Sequence, residues 1–409
     1  MDKRTAYKGK IIRQLFFSDG FSCSDLSNKL NKSLPFINSL LNELIEEGII
    51  IETGYAPSSG GRRPLMYSLK TGILYVLAVA MDQFVTRIAL MDMQNRFITD
   101  VVKFDLNLSE NSNALEQLTE KIQSVIEKSK IPKENIAGIG IGMPGFVNTK
   151  TGINYTFLKN ENKSITTHIS DHTGLPVFID NDSSLVALAE LRFGTAGSRK
   201  SAMVINLGWG IGLGMVLDEK IFRGNNGFAG EFSHIPLFTN GKLCSCGKHG
   251  CLETESSLVI LTEKARQGLK EGKLSLLRGE INYKSIERDC DAVLSAAGKG
   301  DQFAISLLSD AGYIVGRGLA VLIHIINPEV VILSGRGASA GKLWIAPIQQ
   351  ALNEHCIPKL ADNTEIEISE LAYEAEIIGA AALVMENYGK DMHKKEHKEK
   401  IQDIFLPTD

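Results

Sequence analysis

The chain lacks the features that direct a protein out of the cell or into a membrane. No apolar signal core is present in the first ten residues, M-D-K-R-T-A-Y-K-G-K, and no stretch approaches the length of a membrane span. Only six cysteines occur in 409 residues, and Cys23, Cys290 and Cys356 are scattered without pairing logic, so no disulfide framework is indicated. These absences predict a cytoplasmic protein without membrane insertion.

The net charge is small, but the charges are unevenly distributed along the chain. Residues 1–70 contain ten Lys and Arg against seven Asp and Glu, a balance of +3, whereas the remaining residues contain 34 against 41, a balance of −7. So modest a difference does not by itself establish nucleic-acid binding. With 44% hydrophobic residues, the chain is long enough for two or three domains with their own cores.

Three of the cysteines form a close-set group that predicts a metal site. Cys244, Cys246 and Cys251 can bring three thiolates to one ion from a single short loop, and either His234 or His249 could complete a tetrahedron. Such a set leaves no open position for water, so the metal, expected to be zinc, would shape a loop rather than catalyse hydrolysis. The alternative is three buried or reduced cysteines without a metal.

The first seventy residues predict three helices followed by a β-hairpin. Apolar residues at helical spacing mark a first helix that stops at residues 18–20, and Ser22 or Ser24 caps a second helix. A third helix begins after Ser33 and is expected to bury Leu34, Ile37, Leu41 and Leu44. Its opposite face carries candidate contacts to base edges in a DNA major groove: Pro35, Asn38, Ser39 and Asn42.

A hairpin with a basic tip follows the third helix. Strands at residues 49–53 and 65–69 are joined by a loop that contains S-S-G-G-R-R-P. Three helices and a hairpin match a winged helix-turn-helix domain over residues 1–70, with Arg62 and Arg63 placed for phosphates or a minor groove. The alternative is a winged helix that binds another protein, but arginines between glycines and a proline favour DNA.

Strand and helix patterns alternate through the rest of the chain. The predicted strands lie at residues 74–80, 86–91, 97–104, 136–141, 202–207, 212–217 and 330–333. The predicted helices lie at residues 115–128 and within residues 256–326. This repetition predicts an α/β protein with two facing lobes, residues 71–190 and 191–385, the last helix being free to return to the first lobe. Residues 386–409 are expected to form a charged tail or helix.

Several motifs of this body resemble the ROK family, which is named for its repressors, open reading frames and sugar kinases. The motifs are I-G-M-P-G at 141–145, I-D-N-D-S-S at 179–184, L-G-W-G-I-G-L-G at 207–214 and the whole of residues 230–253. The wing sequence G-G-R-R-P at 60–64 resembles the repressor branch, whose DNA-binding domain the kinases lack. The resemblance covers essentially the full length and implies two actin-like or ribonuclease H-like lobes, the sugar-kinase fold, with sugar in the cleft.

The resemblance also implies the residues of a sugar site. Sugar hydroxyls would be hydrogen-bonded by Asn181, Asp182, Glu231, His234 and Glu253. It further implies that the fourth zinc ligand is the histidine of G-E-x-x-H, His234 rather than His249, so that the metal loop orients the sugar site. From the residues alone, alternatives remain: Glu231 could cap a helix, and Asn181 with Asp182 could form an Asx turn.

Two departures from the family's kinases favour a sensor over an enzyme. The kinases carry D-x-G-G-T in the first hairpin, where this chain has A-M-D-Q-F at residues 80–84, and Gly208-Trp209-Gly210 stands in place of G-T-G in the second phosphate loop. A backbone without glycine does not easily approach a phosphate, and Asp82 would repel the anion. Asp182 holds the position of the kinase base but would then only accept a hydrogen bond.

The sequence therefore predicts a sugar-responsive transcriptional repressor that is not an enzyme. Its expected partners are a double-stranded DNA operator, a sugar or sugar phosphate in the cleft, and further copies of itself in a homodimer or homotetramer. Sugar binding would change the closure of the lobes and thereby the affinity for the operator. The alternatives are an ATP-dependent sugar kinase of the same family and a regulator controlled by a protein partner.

Overall fold

The N-terminal segment, called the head below, folds into three helices and a three-stranded antiparallel sheet. The computed structural model describes residues 3–57, 63–158 and 163–389. In chain order the head contains α1 (Lys3–Phe16), β1 (Phe21–Ser22), α2 (Cys23–Leu30), α3 (Leu34–Glu46), β2 (Ile50–Tyr55) and β3 (Leu65–Leu69). The sheet has the order β1-β3-β2, and this arrangement confirms the predicted winged helix-turn-helix fold.

Capping interactions fix where helix α2 begins, and the packing of α3 corrects one expectation. Ser22 and Asp25 form a reciprocal capping box, so Ser22 rather than Ser24 caps α2. The buried residues of α3 are Ile37, Leu40, Leu41 and Leu44. The expectation that Leu34 is buried is wrong: it is 51% exposed, because it is the first residue of α3 and precedes the turns that pack into the head core.

The first lobe is built on a five-stranded sheet. Its elements are β4 (Tyr75–Met81), β5 (Val85–Asp92), β6 (Val102–Asp105), α4 (Ala114–Ser129), β7 (Ile136–Met143), β8 (Val147–Asn148), β9 (Ile153–Asn154), α5 (Ile165–Thr173) and β10 (Val177–Asn181). The strand order is β10-β7-β4-β5-β6. The third predicted strand is shorter than residues 97–104, since the ladder with β5 covers only Val102–Asp105. Before it, Phe97 forms an isolated bridge with Met91, and the Leu90 amide donates to the Thr99 hydroxyl.

A second five-stranded sheet forms the other lobe. After α6 (Asp182–Phe193), the elements are β11 (Ser201–Leu207), β12 (Ile211–Leu217), β13 (Lys220–Ile221), α7 (Glu253–Ser256), α8 (Leu258–Lys270), α9 (Ile286–Gly298), α10 (Gln302–Ile326), β14 (Val330–Ser334), α11 (Ile345–His355), α12 (Pro358–Ala361), β15 (Glu365–Ile368) and α13 (Ala375–Asn387). The strand order is β13-β12-β11-β14-β15. Two such sheets confirm the predicted two-lobed, actin-like fold.

Helix α10 corrects the expectation that no stretch approaches a membrane span. By length and composition alone, its 25 residues are long and apolar enough to cross a membrane. More than half of its most apolar window is buried, however, and Leu308, Val315 and Leu319 lie in the core of the second lobe. A core helix passes the same test, so the finding is weak evidence for a membrane span.

Helices α6 and α13 pack against each other between the two sheets. Their backbones nearly touch, since a Cβ atom on Gly379 would lie 2.0 Å from the carbonyl oxygen of Leu185. Helix α13 also packs on β4 and β7, so the last described helix of the chain contacts the sheet of the first lobe. Residues 390–409, most of the predicted charged tail, lie outside the described residues.

The head rests on the far ends of these two helices. Phe193, the last residue of α6, contacts the rings of Phe16 and Phe17, with both centroid distances at 5.8 Å. Gly9 of α1 approaches Gly389, just beyond α13, so closely that a Cβ atom on either would lie 3.4 Å from the other's Cα. The head core and the pair α6 and α13 therefore belong to one continuous hydrophobic cluster.

Candidate functional site

A cleft of about 480 Å³ lies between the two lobes. Its walls include the carboxyl end of β10, the start of α6, the turn before β12 with the first residues of that strand at 208–213, and the segment at residues 227–234. The cleft brings together the five residues that the family resemblance implies for sugar binding: Asn181, Asp182, Glu231, His234 and Glu253. A concave site with a few convergent polar groups is the usual setting of a small-molecule ligand.

Asn181 and Asp182 stand at the junction of β10 and α6. Asn181 caps the helix, since its Oδ1 accepts from the amides of Ser183 at 3.0 Å and Ser184 at 3.2 Å, while its Nδ2 donates to Gly145 O at 3.2 Å. The Asx turn, which was the alternative to a sugar-binding role for Asn181, is therefore present in the structure. Burial raises the pKa of Asp182 to about 6, and the nearby Asp82 charge adds to that shift.

Glu231 and Glu253 present carboxylates with few partners. Glu231 precedes a 3₁₀ turn, Phe232–His234, but its side chain makes no capping hydrogen bond, so the helix-cap alternative finds no support. Its Oε2 lies 3.6 Å from His234 Nε2. Glu253 begins α7 and packs beside Gly210, where a Cβ atom would lie 2.6 Å from Glu253 Oε2. Among the described residues, neither carboxylate pairs with a lysine or an arginine.

Four side chains beside the cleft could hold a metal ion. The candidate ligand atoms of His234, Cys244, Cys246 and Cys251 all lie within 4.8 Å of one another. Cys244 Sγ is 3.5 Å from His234 Nδ1, and the sulfurs of Cys246 and Cys251 are 3.6 Å apart. His249 is exposed and its Nδ1 lies 3.3 Å from Gly241 O, so the structure brings His234, and not His249, to the thiols.

The spacing of these atoms fits tetrahedral zinc. With Zn–S bonds of about 2.3 Å, tetrahedral geometry places neighbouring sulfurs about 3.8 Å apart, close to the separation of Cys246 and Cys251. Burial and the neighbouring thiols raise the pKa of Cys251 to about 12, and burial also raises that of Cys244, whereas the pKa of Cys246 is lowered. A bound cation would favour the thiolate form of all three. His234 would bind through Nδ1 and leave Nε2 toward Glu231.

The hairpin at residues 80–84 faces the other end of the cleft. Asp82 folds back on its own turn, where its Oδ1 accepts from the Phe84 amide at 2.8 Å and the Val85 amide at 2.7 Å. The Phe84 ring meets the Trp209 indole edge-on at 5.7 Å, which joins the first lobe to the second. Trp209 is only 5% exposed.

A buried guanidinium lies beside this aromatic contact. Arg336 stacks between the rings of Trp209 at 5.0 Å and Tyr373 at 4.2 Å, and donates to the Tyr373 hydroxyl at 2.6 Å. It also pairs with Glu287 at 2.5 Å and Asp291 at 3.1 Å. Burial lowers the pKa of Arg336, but Tyr373 and the two carboxylates outweigh it and hold that pKa above its usual range.

Sequence reasoning missed two charged residues that adjoin this group. Arg87 lies in the fully buried strand β5, and its Nη2 donates to Glu376 Oε2 at 3.1 Å. Burial raises the pKa of Glu376 to about 8, and its Oε1 has no partner among the described residues. A lone charge within an apolar strand and another within an alanine-rich helix were the signals that could have identified them.

Comparison with known proteins identifies the family. Residues 85–387, well over half of the chain, match the ROK family. The chain belongs to the ROK family. Sequence and structural relatives of this ROK chain include both regulators and kinases.

The xylose repressor of Caldicellulosiruptor bescii is 29% identical over 386 residues, which cover 92% of this ROK chain and 94% of that protein. The glucokinase of Halalkalibacterium halodurans is 35% identical over 255 residues, which cover 62% of this chain and 77% of that protein. The crystal structure of a ROK family transcriptional regulator, a homologue of the Escherichia coli MLC protein, matches with a TM-score of 0.77 at 25% identity, covering 96% of this chain and 98% of that one.

The head of this ROK chain presents part of the predicted DNA-contacting set. Pro35, Asn38 and Asn42 are exposed on α3. Ser39 is half-buried and accepts a hydrogen bond from Arg4 Nη2 at 2.6 Å, so it is tied to α1. Arg63 is exposed, whereas Arg62 lies outside the described residues.

Proposed function

We propose that this ROK protein is a sugar-responsive transcriptional repressor that binds operator DNA through its head and acts in the cytoplasm. The observation that carries the proposal is the physical continuity between head and cleft. Helix α6 begins in the cleft at Asp182 and ends at Phe193 against the head, a length of about 18 Å. Helix α13 runs beside it from the Glu376 region to the same end. A ligand that moves the cleft end therefore moves the head.

The proposed effector is a sugar or sugar phosphate bound at the cleft end of this helix pair. Glu231 and Glu253 supply acceptors for hydroxyl groups, and the His234 ring can present Nε2. A structural zinc held by His234, Cys244, Cys246 and Cys251 would keep the loop that carries these side chains rigid. The zinc supplies no chemistry beyond this support, because four protein ligands leave no open position.

An ATP-dependent sugar kinase is the second candidate, because Asp182 lies in the cleft and the chain is similar to a glucokinase. Three contacts speak against it. The Asp82 carboxylate accepts hydrogen bonds from two amides of its own hairpin, so these amides cannot donate to a phosphate. The contact between Phe84 and Trp209 joins the two lobes at the place where the phosphates of ATP would have to bind. Transfer of phosphate from ATP to any hexose, pentose or amino sugar would support the kinase instead.

The protein is proposed to bind DNA as a homodimer or homotetramer, because two copies of the head can read the two halves of a pseudo-palindromic operator. Light scattering of the full chain, alone and with operator DNA, would give the number of copies. A monomer that binds DNA with one head would contradict this part of the proposal.

The DNA-binding role is tested by fluorescence anisotropy with labelled DNA from the region upstream of the protein's own gene. We expect affinity that falls steeply with salt, and a further loss of about tenfold or more in Arg62→Ala/Arg63→Ala, because phosphate contacts are removed. The matched control is Lys273→Ala/Lys284→Ala, which removes two exposed charges from the second lobe. Binding that is indifferent to salt and to the arginines would contradict the proposal.

A further inference from the structure

The residues that line the cleft carry a strong excess of negative charge. Four carboxylates contribute to its walls: Asp82, Asp182, Glu231 and Glu253. Glu376 also lines the cleft, but its raised pKa keeps it largely protonated near neutral pH, so it is not counted with them. Among the described lining residues, Arg336 is the one guanidinium and no lysine is present. A phosphate ester inside the cleft would therefore meet carboxylates from both lobes, and like charges repel strongly in a partly dehydrated site.

Arg336 does not offset this negative charge, because its guanidinium is already paired with carboxylates of the protein. Glu287 and Asp291 both pair with it, and Lys103 of the first lobe pairs with the other oxygen of Glu287 at 2.6 Å. The two aromatic rings of Trp209 and Tyr373 cover its faces. A phosphate could reach this cation only by displacing a carboxylate or a ring, so the group contributes little to binding an anion.

Two other features that commonly hold phosphate are also occupied. The N-terminus of α6 faces the cleft, but its Ser183 and Ser184 amides donate to Asn181 Oδ1. These two amides are therefore not available to donate to an anion. In the metal loop, a divalent zinc with three thiolates and a neutral imidazole would carry a net charge of −1. The loop would therefore add no positive field to the cleft.

Aromatic rings from both lobes lie at the mouth of the cleft. Phe146 of the first lobe meets Phe228 of the second at 5.3 Å, and Tyr155 meets Phe228 at 5.8 Å, both edge-to-face; these three residues are called the aromatic rim. Phe146 is 41% exposed, so a ring remains available to a ligand. Aromatic faces carry negative potential that attracts the C–H groups of a sugar ring and disfavours an anion.

We infer that the effector is an uncharged sugar and that the cleft rejects the corresponding sugar phosphates. The inference rests on the proposed sugar-sensing function and narrows its ligand class. Four carboxylates, a cation that is already paired, an occupied helix N-terminus and an aromatic rim all act in the same direction. Hydroxyl groups, in contrast, can donate to Glu231 and Glu253 without electrostatic cost.

Isothermal titration calorimetry of the full-length, metal-replete chain tests this inference. The panel contains aldohexoses, aldopentoses and N-acetylhexosamines, each with its terminal phosphate ester, at low salt where repulsion is least screened. We expect at least one free sugar to bind and its phosphate to bind roughly 100-fold more weakly or not at all. A phosphate that binds as tightly as its parent sugar, or more tightly, overturns the inference while leaving sugar sensing intact.

A charge-removing variant tests the cause. Asp82→Asn keeps an oxygen that can accept from the Phe84 and Val85 amides, so the hairpin is retained while one negative charge is lost. We expect the affinity ratio of free sugar to phosphate to fall by about threefold to tenfold. Glu134→Gln, an exposed carboxylate outside the cleft, is the matched control and should leave the ratio unchanged. An unchanged ratio in Asp82→Asn contradicts the electrostatic cause, and binding of neither ligand class overturns the sensing function itself.

Discussion

The two ends of the interlobe cleft differ in how far their polar groups satisfy one another. At the end around Glu231 and Glu253, the carboxylates lie in the cleft without lysine or arginine partners among the described residues, beside a loop whose ligand atoms converge on one point. At the end around Arg336, the charges pair with each other and the Phe84 and Trp209 rings join the two lobes. The polar groups of the first end are therefore free to bind a ligand, whereas those of the second end are already engaged in contacts within the protein.

This difference is consistent with the proposed sensing function. Polar groups without protein partners in a concave site lose hydrogen bonds to water, and a ligand can replace those hydrogen bonds. Groups that already satisfy each other hold the lobes together and contribute to stability. We therefore expect substitutions at the first end to change metal and sugar binding, and substitutions at the second end to change stability.

The largest effect is expected where the metal loop supports the first end. His234→Ala removes one of four ligands, and metal content should fall from about one zinc per chain to nearly none, with sugar affinity falling about tenfold or more. His249→Ala is the matched control, because that histidine is exposed outside the cluster. Elemental analysis and calorimetry check both variants. Equal metal loss in the two would show that the ligand set is assigned wrongly.

An intermediate effect, on stability, is expected at Glu376. It differs from the other polar groups of the second end because one of its carboxyl oxygens has no partner among the described residues. Because its folded-state pKa is raised from 4.5 to about 8, the folded chain binds an extra proton between these values, and stability is lost as pH rises through that window. Glu376→Gln should flatten the decline and stabilise the chain at pH 8.5 by on the order of 2–4 kcal/mol.

Thermal unfolding midpoints at pH 5.5 and pH 8.5 measure the effect of Glu376→Gln. Glu374→Gln is the matched control, since it is exposed two residues away. A pH dependence that is the same in the wild-type chain and in Glu376→Gln would show that Glu376 is ionised in the folded state.

The smallest effect is expected at the aromatic rim. Phe146→Ala should weaken sugar binding by about threefold to tenfold, because one ring contributes roughly 0.5–1.5 kcal/mol beyond its buried area. Phe222→Ala, another exposed ring, serves as the control because Phe222 does not line the cleft. Calorimetry with the sugar identified from the panel measures both. Equal loss in the two variants would remove the rim from the ligand site.

Local signals allowed much of the head and the metal loop to be predicted. Ser22 and Asp25 lie three residues apart and cap a helix through contacts that the sequence itself displays. The cysteines at 244–251 lie within one short loop, so their convergence needed no knowledge of the tertiary fold. The choice between His234 and His249 did need it, because spacing alone allowed either; the family resemblance named His234.

The Arg336 group could not be predicted, because its members meet only when the lobes are assembled. Glu287 comes from α9, Tyr373 from the segment before α13, and Trp209 from the turn after β11. No periodicity or spacing links positions so far apart in the chain. The exposure of Leu34 was missed for a related reason, since helical spacing places it on the apolar stripe and only the packed head shows that the stripe begins later.

The glycine contact between α6 and α13 has a mechanical consequence. With Gly379 against the Leu185 carbonyl, no side chain lies between the two backbones at this point to absorb a displacement by changing rotamer. The pair is therefore a stiff lever with a length of about 18 Å. A tilt of about 5° at one end shifts the other by about 1.5 Å, and in a two-fold assembly the gap between the two heads changes by about twice that amount.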